Sequence, residues 1–240
     1  VLKSGTALFI EKPPCQSLEE LARLMDLQKE HDTIVEVGLQ KRNSPIMRIL
    51  QKELKKSKGA VCYNLKYLTG AYPEGDALLD LFIHPLDCMT YLFGEGQVKS
   101  AVNVENHTLM LILEHHCATG ILELSTGYSW SDAKEHWTIN TDRGVYEMDQ
   151  FDSLTFQPKP RIIMGIPMEK VFPCGKTTVS LLERNNFVPL QVNNQIVSQG
   201  YYDTIKGFVD AVEGKKTCAL SSLEHLTHTY SLIENIRTLI

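Results

Sequence analysis

The sequence predicts an α/β (α+β) fold in two unequal parts, a short parallel βαβ unit followed by a largely antiparallel open sheet with helices on one face. Three patterns carry this expectation. Two apolar runs, Thr6–Ile10 and Thr33–Gly38, flank a helical repeat, the rhythm of a crossover between parallel strands spanning roughly 30 residues. From Val98 to Asp149 short alternating segments succeed one another between turn residues. Two amphipathic helical segments close the chain.

In order along the chain, Thr6–Ile10 follows Gly5 and is stopped by Pro13 and Pro14, so it reads as a buried strand. Ser17 three residues before Glu20 forms a capping box, and Leu18, Leu21, Ala22 and Met25 recur at helical spacing. Pro45–Lys56 reads as a second helix on Ile46, Ile49, Leu50 and Leu54, and Ala60–Leu68 as a strand. Ala77–Phe93 reads as one buried helix ended by Gly94. Pro85 should kink it or loosen its first turns beside His84, because the ring removes a hydrogen bond and crowds the Leu81 carbonyl. The segments VKSAVNVEN, TLMLILEH, TGILELSTG, EHWTINTD and GVYEMDQ predict an antiparallel meander. Residues 150–200 carry no pattern that assigns them. Helices at Tyr202–Glu213 and Leu223–Leu239 finish the chain, the second introduced by a Ser221/Glu224 capping box.

Composition narrows the function classes. The 240 residues carry a formal charge of −5, with no concentrated Lys/Arg surface, which argues against nucleic acid as a partner. The basic run from Lys52 to Lys58 reads as a solvated helix end. Six cysteines (Cys15, Cys62, Cys88, Cys117, Cys174 and Cys218) are scattered without a Cys-x-x-Cys motif, as expected of reduced thiols in a cytoplasmic protein. No apolar stretch approaches the roughly 20 residues of a membrane helix. The chain opens at Val1 inside an element that looks already under way, so it reads as a fragment.

The chemistry concentrates in two places. On a helix, Asp80, His84, Asp87 and Tyr91 fall at i, i+4, i+7 and i+11, one polar stripe on an otherwise apolar element. Burying such a stripe unpaired would cost about 1–3 kcal/mol per group, so a site is the economical reading. The plainer alternative is the solvent face of an amphipathic helix. A histidine can exchange a proton near neutrality, and a neighbouring carboxylate can orient it. Lys12, at the end of the first strand, could stabilise a developing alkoxide, although a lone lysine is more often a surface charge. His115 and His116 point to opposite faces of a strand and cannot share a metal. A metal-dependent hydrolase built on Asp80 and His84 lacks a third ligand at a convincing spacing, so no metal is expected. Trp130, His136 and Trp137 read as parts of a sheet face or an interface.

The run SGTALFIEKPPCQSLEELARL resembles the segment of the glucose–fructose oxidoreductase / inositol dehydrogenase (Gfo/Idh/MocA) family in which Glu-Lys-Pro ends the fifth strand of the nucleotide-binding domain. EVGLQKRNSP is similar to the strand that leaves that domain, GDALLDLFIHPLDCMTYLFG to the helix bearing Asp-x-x-x-His-x-x-Asp, TDRGVYEMD to the Gly-centred hairpin, and YYDTIKGFVDAVEGKK to the penultimate helix. The likeness runs in order along the whole chain. Phe82 stands where that family commonly has glycine.

The resemblance implies residues 1–40 as the C-terminal remnant of a Rossmann-type dinucleotide-binding domain, and 41–240 as a substrate-binding and oligomerisation domain. It implies an NAD(P)-dependent oxidoreductase, with NAD or NADP as cofactor, moving a hydride to or from a hydroxyl or carbonyl carbon of a sugar, cyclitol or related small molecule. Lys12, Asp80 and His84 would be catalytic, with His84 exchanging the proton and Asp80 holding it. Glu11, Lys12, Pro13, Gln40 and Arg42 would meet the cofactor, and Tyr72 would join Lys12, Asp80 and His84 around substrate, with Asp87 supporting from behind. The glycine-rich pyrophosphate turn would lie ahead of Val1, so this piece alone should be inactive. Homo-oligomers, dimers or tetramers, would form through the open sheet face. The competing expectation is a non-catalytic scaffold or regulatory protein that keeps the sheet domain.

Overall fold

The computed structural model describes residues 1–160, 162–172, 177–184, 194–215 and 221–240; Cys174 and Cys218 lie outside the described residues. Leu8–Ile10 (β1) and Val35–Val37 (β2) pair in parallel, Leu8 opposite Val35 and Ile10 opposite Val37, joined through the helix Leu18–Glu30 (α1). The Ser17 hydroxyl caps α1 by accepting from Glu20 N at 3.2 Å, while the Glu20 carboxylate reaches one residue beyond the cap, to Gln16 N. A 3-10 turn at Gln40–Asn43 leads into Pro45–Leu54 (α2). There Pro45 occupies the first turn, where its missing N–H is not needed, and Ser44 caps Met47 N.

The rest of the chain builds an eight-stranded sheet. Its first strand is Val61–Leu68 (β3), after which two helices, Ala77–Asp80 (α3) and Ile83–Phe93 (α4), return the chain to Gly96–Val104 (β4), Thr108–His115 (β5) and Ala118–Ser125 (β6). Lys134–Thr141 (β7), Gly144–Asp149 (β8) and Ser153–Pro158 (β9) follow, then a small hairpin of Ile162–Ile163 (β10) with Ile166–Pro167 (β11), and Val179–Glu183 (β12). Helices Gln195–Ser198 (α5), Tyr201–Val212 (α6) and Thr227–Leu239 (α7) complete it, the last preceded by a 3-10 turn at Leu223–Leu226. The sheet order is β12-β9-β8-β7-β3-β6-β5-β4, antiparallel except where β3 runs parallel to β6.

Three expectations need correction. The strands from Val98 to Asp149 are not one meander, because β3 inserts between β6 and β7 and hydrogen-bonds to both. Neighbours in sequence usually pair, but β3 enters with both edges open, and each hairpin ribbon closes on one of them. Ala77–Phe93 is not one helix. Pro85 cannot bond to Leu81 O, which accepts from His84 N at 3.4 Å, and the chain breaks at Leu81–Phe82 before restarting. The final cap is Ser222 with His225 rather than Ser221 with Glu224. Ser221 is buried, and its N–H donates to Glu36 Oε1 at 2.9 Å.

Strand alternation sorts the sheet into two faces. Tyr63, Leu65, Leu111, Leu113, Leu122, Trp137, Tyr146 and Met148 point inward and are buried in one core with α2, α4 and α7. Cys62, Lys66, Met110, Ile112, Ile121 and His136 point outward on the same strands. Helices therefore cover a single face, as expected. Among the described residues, no helix is long and apolar enough to cross a membrane.

Candidate active site

The parallel pair ends in Glu11-Lys12-Pro13, so Lys12 leaves the C-terminal end of β1, the edge at which α/β sheets place their ligands. The Lys12–Pro13 peptide bond is cis. Lys12 Nζ donates to the backbone carbonyl of Asp80, the last residue of α3, across 68 positions of sequence. Break and bond belong together, since a carbonyl at the end of a one-turn helix has no intrahelical partner and is open to an external donor. Glu11 lies against Gly38, where a Cβ would crowd its carboxylate.

His84 opens α4 on the far side of the break. It is buried, and its Nδ1 has no hydrogen-bond partner among the described residues. Burial first, then the Lys41 and Lys12 ammonium groups, hold the imidazole well below its usual range, so it is neutral near pH 7. Burial also pulls the Lys12 ammonium below its ordinary value, against the opposing pull of Asp80 and Glu11. Asp80 is not hydrogen-bonded to His84. Its Oδ2 accepts from Tyr72 OH at 3.3 Å, beside Gly75, where a Cβ would strike that oxygen. The loop carrying Tyr72 is held from outside by Trp130, whose ring covers Gly70 and whose Nε1 donates to Ala71 O at 2.9 Å.

The other expected residues are placed differently. Arg42 does not line a cleft: it is 3% exposed, its guanidinium bonded twice to Asp87 and once to His225 O. Gln40 is buried, with Gly200 against its carbonyl. Phe82 is buried in the core and meets Tyr67 edge-on at 6.1 Å. Lys12, Asp80 and Tyr72 thus meet, with Lys12 in electrostatic reach of His84, whereas Arg42 and Asp87 are spent on each other.

Sequence reasoning missed Lys41 and Glu135. Both are buried and ion-paired, Lys41 Nζ to Glu135 Oε2, with the ammonium 5.0 Å from the ring centres of Tyr67 and Phe151. The signal for Glu135 was available: in KEHWTINT it shares the inward register of Trp137 and Ile139. Lys41 had only the run Gln40-Lys41-Arg42 after an apolar strand to announce it.

No family model matches the chain. It is 24% identical over 195 residues to "Putative oxidoreductase YceM" of Salmonella typhimurium, spanning 78% of this chain and about 60% of the length of that curated relative. A dehydrogenase from Chromobacterium violaceum superposes with a TM-score of 0.78 at 18% identity, covering 99% of this chain and 70% of that one. A Gfo/Idh/MocA family oxidoreductase from Vibrio cholerae gives 0.68 at 19% identity, with coverages of 98% and 70%. KijD10, a 3-ketoreductase from Actinomadura kijaniata in complex with NADP, gives 0.72 at 14%, with 99% and 71%. At these identities the likeness shows the fold alone, one that this chain shares with the Gfo/Idh/MocA family oxidoreductase from Vibrio cholerae, in keeping with the sequence resemblance.

Proposed function

We propose that this chain is the substrate-side part of an NAD(P)-dependent oxidoreductase acting on a carbon that bears a hydroxyl or carbonyl, in a sugar, cyclitol or related small molecule. The observation that carries the reading is the bond from Lys12 Nζ to the Asp80 carbonyl. It brings an ammonium from a strand end into electrostatic reach of the buried imidazole of His84.

The residues present suit the nicotinamide end of a dinucleotide. Lys12 stands at the end of a parallel strand with one of its three donors used on a backbone carbonyl, leaving donors for a ribose hydroxyl or a substrate oxygen. A nicotinamide held there would supply the hydride donor or acceptor. Glu11, Lys12 and Pro13 would flank it, and residues 1–40 would be the edge of its domain. The buried carboxamide of Gln40 and the committed guanidinium of Arg42 would act from behind.

The chain's own groups do the rest. In the oxidising direction the neutral His84 imidazole takes the proton from the substrate hydroxyl, and Lys12 steadies the negative charge that develops on the oxygen. In the reducing direction a protonated His84 gives that proton back. Asp80 holds Lys12 through its backbone and Tyr72 through its carboxylate, so its part is to shape the site rather than to orient the imidazole.

Fluorescence titration of the intact protein with NADH and NADPH, followed by turnover assays, tests the reading. His84→Ala should bind the dinucleotide as the parent does and lose turnover by 10²-fold or more, within the range for a general acid–base group. Unchanged turnover would refute the assigned role, and no binding of either dinucleotide would favour the scaffold.

The outward sheet face supports an assembly reading as well. Val102, Met110, Ile112 and Ile121 are each more than a third exposed and neighbour one another across β4, β5 and β6. A second copy seated on this face would cover them.

A further inference from the structure

Trp130 stands on the loop between β6 and β7 and is 54% exposed, so burial does not explain its place. Its indole is nevertheless fixed at both its polar and its apolar parts. Nε1 donates to Ala71 O at 2.9 Å, and the ring lies so close over Gly70 that a Cβ there would enter it. Nearer the sheet, Thr69 N donates to Ser125 O at 2.8 Å and Tyr128 N to Thr69 O at 2.9 Å. The parallel ladder of β3 and β6 therefore runs on past both strand ends, and the indole adds its outermost rung. The loop bearing Trp130 is braced in turn, since Tyr128 OH donates to Asp132 Oδ2 at 3.1 Å and Lys134 Nζ lies 5.6 Å from the Tyr128 ring centre.

That rung lies one residue short of the site. Residues 70–76 cross from β3 to α3 and are tied at the far end by Asp76, whose Oδ2 accepts from Arg237 Nη2 at 2.5 Å and whose Oδ1 caps Leu78 N at 3.0 Å. Between the two ties, Tyr72 and Gly75 both meet Asp80 Oδ2: the phenol donates to it at 3.3 Å, and a Cβ on Gly75 would strike it. Asp80 receives Lys12 Nζ on its backbone carbonyl. Every link from Trp130 to Lys12 is thus a contact: indole to Ala71, the next residue's phenol to the Asp80 carboxylate, and the Asp80 carbonyl to the ammonium. At 3.3 Å the phenol bond is long for an O–H donor, so a small shift of the Gly70–Ala71 backbone breaks it.

We infer that Trp130 is a positioning residue for the substrate side of the site: by pinning Gly70 and Ala71 from the sheet loop, it holds the Tyr72 hydroxyl on Asp80, beside Lys12. Tyr72 and Asp80 offer a donor and an acceptor there, the pairing that a polyol hydroxyl can use. Calling that space a substrate pocket rests on the proposed oxidoreductase reading, whereas the pinning rests on the contacts alone. The held phenol also carries a signature. Its burial, and next to that the charge and hydrogen bond of Asp80 with a smaller push from Glu74, raise the Tyr72 hydroxyl above its ordinary range. Loss of the pin removes the Asp80 share of that rise.

The test is a fluorine NMR titration of the protein labelled with 3-fluorotyrosine, whose phenol titrates lower than that of tyrosine and so within the range a fold tolerates. The Tyr72 signal is assigned by its loss in Tyr72→Phe. In the parent it should titrate above free 3-fluorotyrosine. Trp130→Ala removes the pin, and Gly70→Ala displaces the indole by filling its seat, so in each the Tyr72 midpoint should fall toward the free value. The double variant should fall no further than the lower of the two, because both changes act on one contact. Trp130→Phe, which keeps a ring over Gly70 and loses the bond to Ala71, should fall part of the way. An unmoved midpoint in folded Trp130→Ala or Gly70→Ala would overturn the inference, as would full additivity in the double variant. Should those variants fail to fold, an unmoved midpoint in Trp130→Phe overturns it instead. Because neither dinucleotide nor turnover is read, a failed redox assay and a failed fluorine titration are separate results.

Discussion

Arg42 and Asp87 meet through two buried hydrogen bonds, Nε to Oδ2 at 2.6 Å and Nη2 to Oδ1 at 2.5 Å. The parallel fork fits the carboxylate at both oxygens. Thr229 adds a third donor to Oδ1 at 3.1 Å, and Arg42 also reaches His225 O, so one ion pair joins the turn after β2, the helix of His84 and the start of α7. The site is framed by this joint.

Removing one partner strands the other. Arg42→Met should therefore cost about 3–5 kcal/mol, the range for a buried charge left uncompensated. Arg42→Met/Asp87→Leu should recover much of that loss, while Arg42→Lys, a point charge without the fork, should not. Urea denaturation of the three variants checks the order.

Gly200, at φ 90°, abuts the carbonyl of Gln40, where a Cβ would overlap the oxygen. Gly200→Ala should destabilise by at least the 1–3 kcal/mol that a strained backbone position costs. It should also push the 3-10 turn that carries Lys41. Thermal unfolding measures the first effect, and a displaced Lys41 signal in side-chain NMR the second.

Histidines held low shape the acid response, His225 among them, its imidazole lowered chiefly by burial. His84 and His115 are both held below the usual imidazole range, burial being the larger cause in each. His115 has its ring nitrogens engaged, Nε2 with Tyr63 OH at 2.9 Å and Nδ1 with Gly94 O at 3.0 Å. The unfolded chain takes up protons as pH falls through about 6.5 while the folded chain does not. Stability is thus complete above that value and declines below it, by up to about 1.4 kcal/mol per pH unit for each histidine, until the folded groups titrate. Urea midpoints between pH 8 and pH 5 should show the decline, and His115→Gln should lessen its slope.

On the outward face, Ile112→Lys should leave the fold intact and shift sedimentation to the monomer if copies pair there. Cys62 offers a second reading, since it is exposed on the same face and carries a free thiol. Its labelling rate should drop as protein concentration rises in the parent and not in the Ile112→Lys variant.

Much of this was legible from local pattern. The βαβ unit followed from two apolar runs around a capped helix, and the inward rows of β5 and β6 followed from alternation. The family resemblance singled out Lys12 and Asp80, which the structure joins through the Asp80 carbonyl. What escaped were relations set by distant parts of the chain. Nothing local says that β3 receives strands on both edges, since hydrogen-bonding capacity is the same on every strand. Helical spacing put Asp80 and His84 on one stripe, but Pro85 breaks that spacing, so Asp80 serves Lys12 and Tyr72 instead. Arg42 looked like a ligand-facing cation because its partner, Asp87, is 45 positions away.

The account turns on one crevice shared by Lys12 and His84, and a crystal structure of the intact protein grown with reduced dinucleotide and a bound polyol would test it most directly. The nicotinamide ring should lie against Glu11-Lys12-Pro13, with the substrate oxygen within hydrogen-bond distance of both Lys12 Nζ and the His84 ring. A nicotinamide bound elsewhere, or a substrate that reaches neither group, would contradict it.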